Sequence, residues 1–233
     1  MIKNELIKFF TSLKIWIYGG IIFTFILIND VIFVDKPCEI ATFHNFLYDN
    51  VKSLVFVIPI ILAPIVSEIF TYDYECGCMK FFVIYKRREK ILFYKILSSI
   101  IITSILIIFT FVILTMVYII ENPGEINTLK YQAFSAMKIM IMFLIALIPV
   151  ILIYVLISIL SKNSAIVSLL VFLLVIMSDF IPKTIGDITP RRFLWSCLLK
   201  NRINNLSIVL FLVYIAVLMF INIKVFSKKE LIQ

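Results

Sequence analysis

The sequence is short of charge, of glycine and of histidine, and each shortage closes off a class of function. Only 15% of its 233 residues are Asp, Glu, Lys or Arg, where a soluble domain carries about 25%. The five glycines include no loop ending in Gly-Lys-Ser or Gly-Lys-Thr, the arrangement that cradles nucleotide phosphates. Any use of ATP would therefore need a second polypeptide. The single histidine, His44, excludes a helical zinc-protease site, which takes two histidines and an acid. Loops are short as well, so no separate soluble core is expected outside the apolar runs. No internal repeat or low-complexity segment is evident.

What fills the chain instead is apolar. Hydrophobic residues make up 63% and the mean hydropathy is +1.11, against roughly 45–50% apolar residues in a soluble domain. Six stretches contain no charged residue: 15–29, 53–67, 96–120, 139–161, 163–178 and 203–223. A membrane helix takes about 20 apolar residues. The third, fourth and sixth runs meet this directly, and the others do so with their apolar flanks. Asp30, Glu68 and Asp179 then lie near span ends, where snorkelling and headgroup water tolerate a charge. Lys162 stands alone between the fourth and fifth runs, which predicts a tight turn over Ser161–Ser164. The reading is an all-α integral membrane protein of six transmembrane helices, folded as one transmembrane domain over 1–233. Residues 1–14 read as an interfacial helix, because Ile2, Leu6, Phe9, Phe10 and Leu13 share a stripe while Lys3, Asn4, Lys8, Thr11 and Ser12 lie off it. The first run is followed by Asp30, Val31, Ile32 and Phe33 rather than a small-residue cleavage site, so it is expected to be retained.

With the N-terminus inside, thirteen of the 22 Lys and Arg residues fall in inner segments, as the positive-inside bias requires. Both termini are expected in the cytoplasm, in a multi-pass protein of the plasma membrane. The net charge of +8 is thus a topology signal and gives no reason to expect nucleic acid. No ionisable residue is expected at a bilayer midplane, which disfavours an ion-coupled carrier. His44 is expected in the outer loop after the first span, as a solvated residue. A Cys–His peptidase would need a thiol beside it, yet Cys76 and Cys78 are expected across the bilayer and Cys38 has no evident orienting partner. Cys38 and Cys197 both fall outside, where a disulfide is topologically allowed. Cys76-Gly77-Cys78 is half a metal motif without its second pair, and no metal is expected.

The most distinctive segment is the inner loop between the second and third spans, YECGCMKFFVIYKRREKILFYKIL over 74–97. In order it presents an acid (Glu75), a glycine suited to a turn (Gly77), an apolar stretch from Met79 to Tyr85 and a basic cluster of Lys86, Arg87, Arg88 and Lys90. Lys95 follows at the start of the next span. Simple inside anchoring explains the basic cluster alone. The apolar stretch is expected to lie along the interface as a short helix.

This order resembles the permease subunits of type-two ABC transporters, the exporter-like class. Their corresponding loop runs acid, Gly-Thr, an apolar residue, Lys, an apolar stretch, Pro, Arg and a downstream Lys. Glu75, Gly77, Met79, Lys80, Arg88 and Lys95 occupy those places, with Cys78 where Thr is usual and Lys86 where Pro is common. The resemblance implies a coupling loop over 71–90, with Glu75, Gly77, Met79, Lys80, Arg87 and Arg88 seated against a cytoplasmic ABC ATPase in two copies. It implies a second permease chain, identical or related, and ATP and Mg²⁺ held on the ATPase, with no cofactor and no catalytic residue on this chain. It also implies a short outer helical hairpin before the last span, a re-entrant segment at 181–204 with Phe193, Trp195 and Leu198 on its apolar face. Small members of the family serve antimicrobial-peptide export and self-immunity, so the implied cargo is hydrophobic or amphipathic. The competing reading is an ATP-independent secondary transporter or channel.

Overall fold

The structure, a computed structural model, describes residues 2–12, 14–33, 42–79, 84, 87–123, 126–161, 163–180 and 205–228. Among these every element is helical: α1 (Ile2–Thr11), α2 (Lys14–Phe33), α3 (Phe43–Glu75), α4 (Arg88–Glu121), α5 (Ile126–Leu160), α6 (Ser164–Phe180) and α7 (Asn205–Lys228). Each of the six charge-free runs falls on one of α2–α7. Four helical segments are long and apolar enough to cross a membrane: Phe43–Tyr74, Arg88–Glu121, Tyr131–Leu160 and Phe211–Lys228. α1 and the first part of α2 form a fifth apolar unit, bent by 67°. α6, with 17 residues, is at the short limit for a span.

The faces of these helices suit a bilayer. On α4, Ile108, Phe109, Val112, Met116 and Ile120 are exposed, while Leu106, Thr110, Leu114 and Val117 on the other side are buried. In water an apolar row of that extent would drive association; in hydrocarbon it is the solvated face. α3 is the central element and packs on α2, α4, α5 and α6. Of its most apolar window 72% is buried, against 22% for α7. α3 contains Pro59 and Pro64 and α5 contains Pro149. Proline removes an intrahelical donor, and membrane helices tolerate it where neighbours supply partners. Tyr154 of α5 adds a cross-helix contact at this level, its hydroxyl donating to the Pro59 carbonyl at 2.9 Å.

Buried polar groups tie the helices at other levels. Asn29 on α2 donates to the Asn50 side chain on α3 at 2.9 Å, and Asn50 donates back to the Phe46 carbonyl. Asn222 on α7 donates to the Leu152 carbonyl of α5 at 3.0 Å. α5 and α6 are joined by the expected tight turn, where the Asn163 side-chain oxygen accepts from the Ala165 N–H at 2.9 Å. Lys162 lies outside the described residues.

The helices run past the charge-free stretches. α3 begins at Phe43, so His44 lies in its first turn, in place of the outer loop expected from the sequence. Its backbone N–H donates to Gln132 Oε1 at 3.1 Å, and its Nδ1 lies 2.8 Å from Ser135 Oγ. His44 therefore joins the start of α3 to α5.

Candidate functional site

The end of the bundle where α1, the C-terminal turns of α3 and the first turns of α4 meet holds a cluster of ionised groups. Lys95 sits two turns into α4 and is 0% exposed; Asp73, near the end of α3, is 1% exposed and Glu5 of α1 is 5% exposed. The Lys95 ammonium donates to Asp73 Oδ2 at 2.5 Å and to the Ile69 carbonyl, and lies 3.9 Å from Glu5. Lys8 of α1 closes the circuit, donating to Asp73 Oδ1 at 3.1 Å and lying 3.7 Å from Glu5. Two acids face two cations, so the cluster is neutral. The Phe70 ring flanks Lys95 at 5.3 Å and the Tyr72 ring flanks Lys8 at 5.4 Å, both within cation–π range.

Burial pushes the Glu5 carboxyl above its ordinary value; the Lys95 charge partly offsets this and the Asp73 charge adds to it. Burial pulls the Lys8 ammonium down, but the hydrogen bond to Asp73 and the charge of Glu5 outweigh it, and its net shift is upward. The cluster adds ionic contacts among three helices that also share apolar packing through Leu6, Phe9, Phe70 and Leu92. Removing one member would leave an uncompensated ion in a low-dielectric site, which costs several kcal/mol.

α1 is a separate helix set at 67° to the start of α2. Its apolar stripe is only partly the protein-facing side. Glu5 is buried and Leu6 and Phe9 pack on the core, while Ile7 and Phe10 are exposed. Lys8, placed with the polar face by sequence, turns inward to Asp73. One turn further along, Lys14 pairs with Glu68 at 2.6 Å, joining the start of α2 to α3.

Of the loop that follows α3, Cys76 and Cys78 line a small cleft together with Glu5, Lys8 and Asp73 of this cluster. Glu75 is the last residue of α3 and Cys76 its C-cap. Gly77 follows with φ +67°, the left-handed conformation that glycine adopts without a Cβ clash. The Cys76 N–H donates to the Tyr72 carbonyl and the Gly77 N–H to the Tyr74 carbonyl, which satisfies the end of α3. Cys78 and Met79 resume helical geometry, and Met79 is buried. Ile84 is helical and exposed; Lys80, Lys86 and most of the expected interfacial helix lie outside the described residues. Arg87 is the exposed N-cap of α4. Arg88 is half-buried and donates from Nη1 to the Ser227 carbonyl of α7 at 2.8 Å. Phe193, Trp195 and Leu198, with the whole of 181–204, lie outside the described residues, as do Cys38 and Cys197. Among the described residues no group of three His, Cys, Asp or Glu side chains is placed to hold a metal ion.

Sequence reasoning singled out Lys95 but missed its partners Glu5, Lys8 and Asp73. Their spacing gave one usable signal: Glu5 and Lys8 stand three apart on a short helix, and so share a face. No protein-family model matches the chain, and no curated protein matches it in sequence.

Proposed function

We propose that the chain is the transmembrane subunit of an ATP-driven ABC exporter, powered by a separate cytoplasmic ATPase bound in two copies. On this reading it spans the plasma membrane six times through α2–α7 with both termini in the cytoplasm. It pairs with a second permease chain and moves a hydrophobic or amphipathic cargo of the antimicrobial-peptide kind, in export or self-immunity. ATP and Mg²⁺ belong to the ATPase, and this chain carries no catalytic residue. The outer re-entrant hairpin around Phe193, Trp195 and Leu198 belongs to the same proposal.

The observation that carries the reading is the juxtaposition at the 71–90 loop. A residue order resembling the family's coupling loop stands beside the ion cluster that fastens α1, α3 and α4 together. Arg88 adds α7 to that junction. A force applied to the loop would thus reach three helices through ionic contacts and α7 through the Arg88 hydrogen bond, which is the property a coupling element needs.

The test is affinity isolation of the full chain from its native membrane in mild detergent, with mass spectrometry of what accompanies it. A stoichiometric cytoplasmic ATPase, lost on Arg87→Glu or Glu75→Lys, is the expected result. Recovery of the chain alone across several detergents would overturn the proposal. Arg88→Ala is a less clean probe, because Arg88 also ends α7.

One observation favours the second reading. The Asp73–Lys95 pair is sequestered from water, as are the charges that ion-coupled carriers use, and the sequence had not revealed its burial. An ATP-independent transporter would show cargo movement in ATPase-free vesicles that collapses with the proton or sodium gradient.

A further inference from the structure

Beside the ion cluster lies a half-open cleft of about 300 Å³ between α1, the start of α2 and the last turns of α3. That volume is at the low end of the roughly 300–1,000 Å³ of small-ligand sites, enough for a head group but not for a whole lipid. Its deeper wall is apolar, formed by Ile65 and Ile69, which are buried, together with Phe9. Its rim carries the Lys14–Glu68 pair, whose side chains are 52% and 38% exposed. α1 is amphipathic and forms one side; with α1 read as an interfacial helix, the cleft opens at the membrane surface.

The chemistry of the rim selects among ligands. Lys8 and Glu5 also line the cleft, but both are engaged in the neutral cluster with Asp73 and Lys95. The charged pair left to meet a ligand is one ammonium and one carboxylate, beside the phenols of Tyr18 and Tyr72, which also line the cleft. Lys14 has two further N–H donors beyond the one given to Glu68, and Glu68 has a second oxygen. An exposed ion pair contributes little by itself, so admitting a ligand between its members costs little. A ligand that satisfies both must carry one anion and one hydrogen-bonding cation a few bonds apart, next to an apolar body.

We propose that this cleft binds the head group of an aminophospholipid from the adjoining leaflet, its phosphodiester on Lys14 and its primary ammonium on Glu68. A phosphatidylcholine head group has the same charges but no N–H to give Glu68. A phosphatidylglycerol head group has the anion and no cation. The apolar wall favours the membrane-anchored lipid over a soluble zwitterion. This inference rests on the chain being embedded in a membrane and is independent of the permease reading; the absence of an ATPase partner would leave it standing.

The test uses the purified full chain, equilibrated with mixed micelles holding equal amounts of phosphatidylethanolamine, phosphatidylcholine and phosphatidylglycerol with identical acyl chains. Native mass spectrometry then counts the lipid retained. The expected result is retention of phosphatidylethanolamine over phosphatidylcholine by about tenfold, the effect of one charge-assisted hydrogen bond. Glu68→Gln should erase that preference, and Lys14→Met should lower retention of both lipids. The swapped pair Lys14→Glu with Glu68→Lys keeps the interhelical contact and serves if a single variant fails to fold; it should restore measurable preference. Equal retention of the two lipids by the unaltered chain would overturn the proposal, as would a preference that survives Glu68→Gln. Competition by water-soluble glycerophosphoethanolamine at equal concentration would overturn the lipid assignment and leave a soluble zwitterion as the occupant.

Discussion

Replacing Lys95 with methionine gives the most direct measure of what the ion cluster does. Methionine matches the length of the lysine stem and suits an apolar helix face, so packing changes little. The charge balance changes fully. Asp73, 1% exposed, and Glu5, 5% exposed, would be left with Lys8 as the remaining cation of the cluster, and the Ile69 carbonyl would lose its side-chain donor. Breaking a buried pair by removing one partner costs about 3–5 kcal/mol. At roughly 2–4 °C per kcal/mol for a chain of this size, that is a fall in melting temperature of ~6–20 °C, read by far-UV circular dichroism in mild detergent. The double variant Lys95→Met with Asp73→Leu removes one charge of each sign and leaves Glu5 with Lys8, which lie 3.7 Å apart. It should therefore be more stable than the single variant, since the uncompensated charge is gone. A fall below ~3 °C for Lys95→Met, or a double variant whose loss equals the sum of the two single losses, would refute the reasoning.

Other outcomes follow from single contacts. The Glu5 carboxyl is held above its ordinary value of 4.5, so the folded chain binds that proton more tightly than the unfolded chain. The stabilisation from its protonation is present at low pH and fades as pH rises from 4.5 through the raised folded value. Glu5→Gln should remove that slope, so the melting-temperature difference from the unaltered chain should shift in the variant's favour across the same interval. Asn50→Leu would strand the Asn29 amide in an apolar setting and cost about 1–3 kcal/mol, while Asn29→Leu with Asn50→Leu should recover most of it in the same melting assay. At Gly77 an added Cβ would meet nothing within 4 Å, so Gly77→Ala should cost only the backbone strain of a positive φ, about 1–2 kcal/mol. Gly77→Asn should cost less, and equal losses for the two variants would argue against that account.

Much of this architecture was legible in the sequence. Charge-free runs locate α2–α7 because a backbone in hydrocarbon satisfies its own polar groups only as a helix or a closed barrel, and composition reports the hydrocarbon directly. Lys162 marked the α5–α6 turn because a charge has to leave the apolar layer. Helix ends were less legible. α3 starts at Phe43 and carries His44, Asn45, Asp49 and Lys52 in its first turns, because a helix emerging into water has no reason to stop where apolar residues do. The ion cluster was the least legible feature. Lys8 and Asp73 are 65 positions apart and Asp73 and Lys95 are 22 apart, and each alone looks like an ordinary charge at a span end. Only the packing of α4 against both α1 and α3 brings them together and takes them out of water. The inward turn of Lys8 was hidden for the same reason, since a hydrophobic stripe sorts residues by polarity and ignores a charged partner on another helix.

The wide sequence separation within that cluster also has a consequence for how the chain is made. α1 is synthesised before α3 and α4, and its charged partners emerge much later: at about 5–20 residues per second, the 65 positions from Lys8 to Asp73 take ~3–13 s. During that interval Glu5 and Lys8 have only each other, and α1 has no ionic reason to settle against the bundle. When Asp73 appears the cluster is short of one cation, and it reaches neutrality only after Lys95 has entered the bilayer with α4. The docking of the N-terminal helix is thereby a late step, a closing fastener whose last tooth is carried by the third long apolar run.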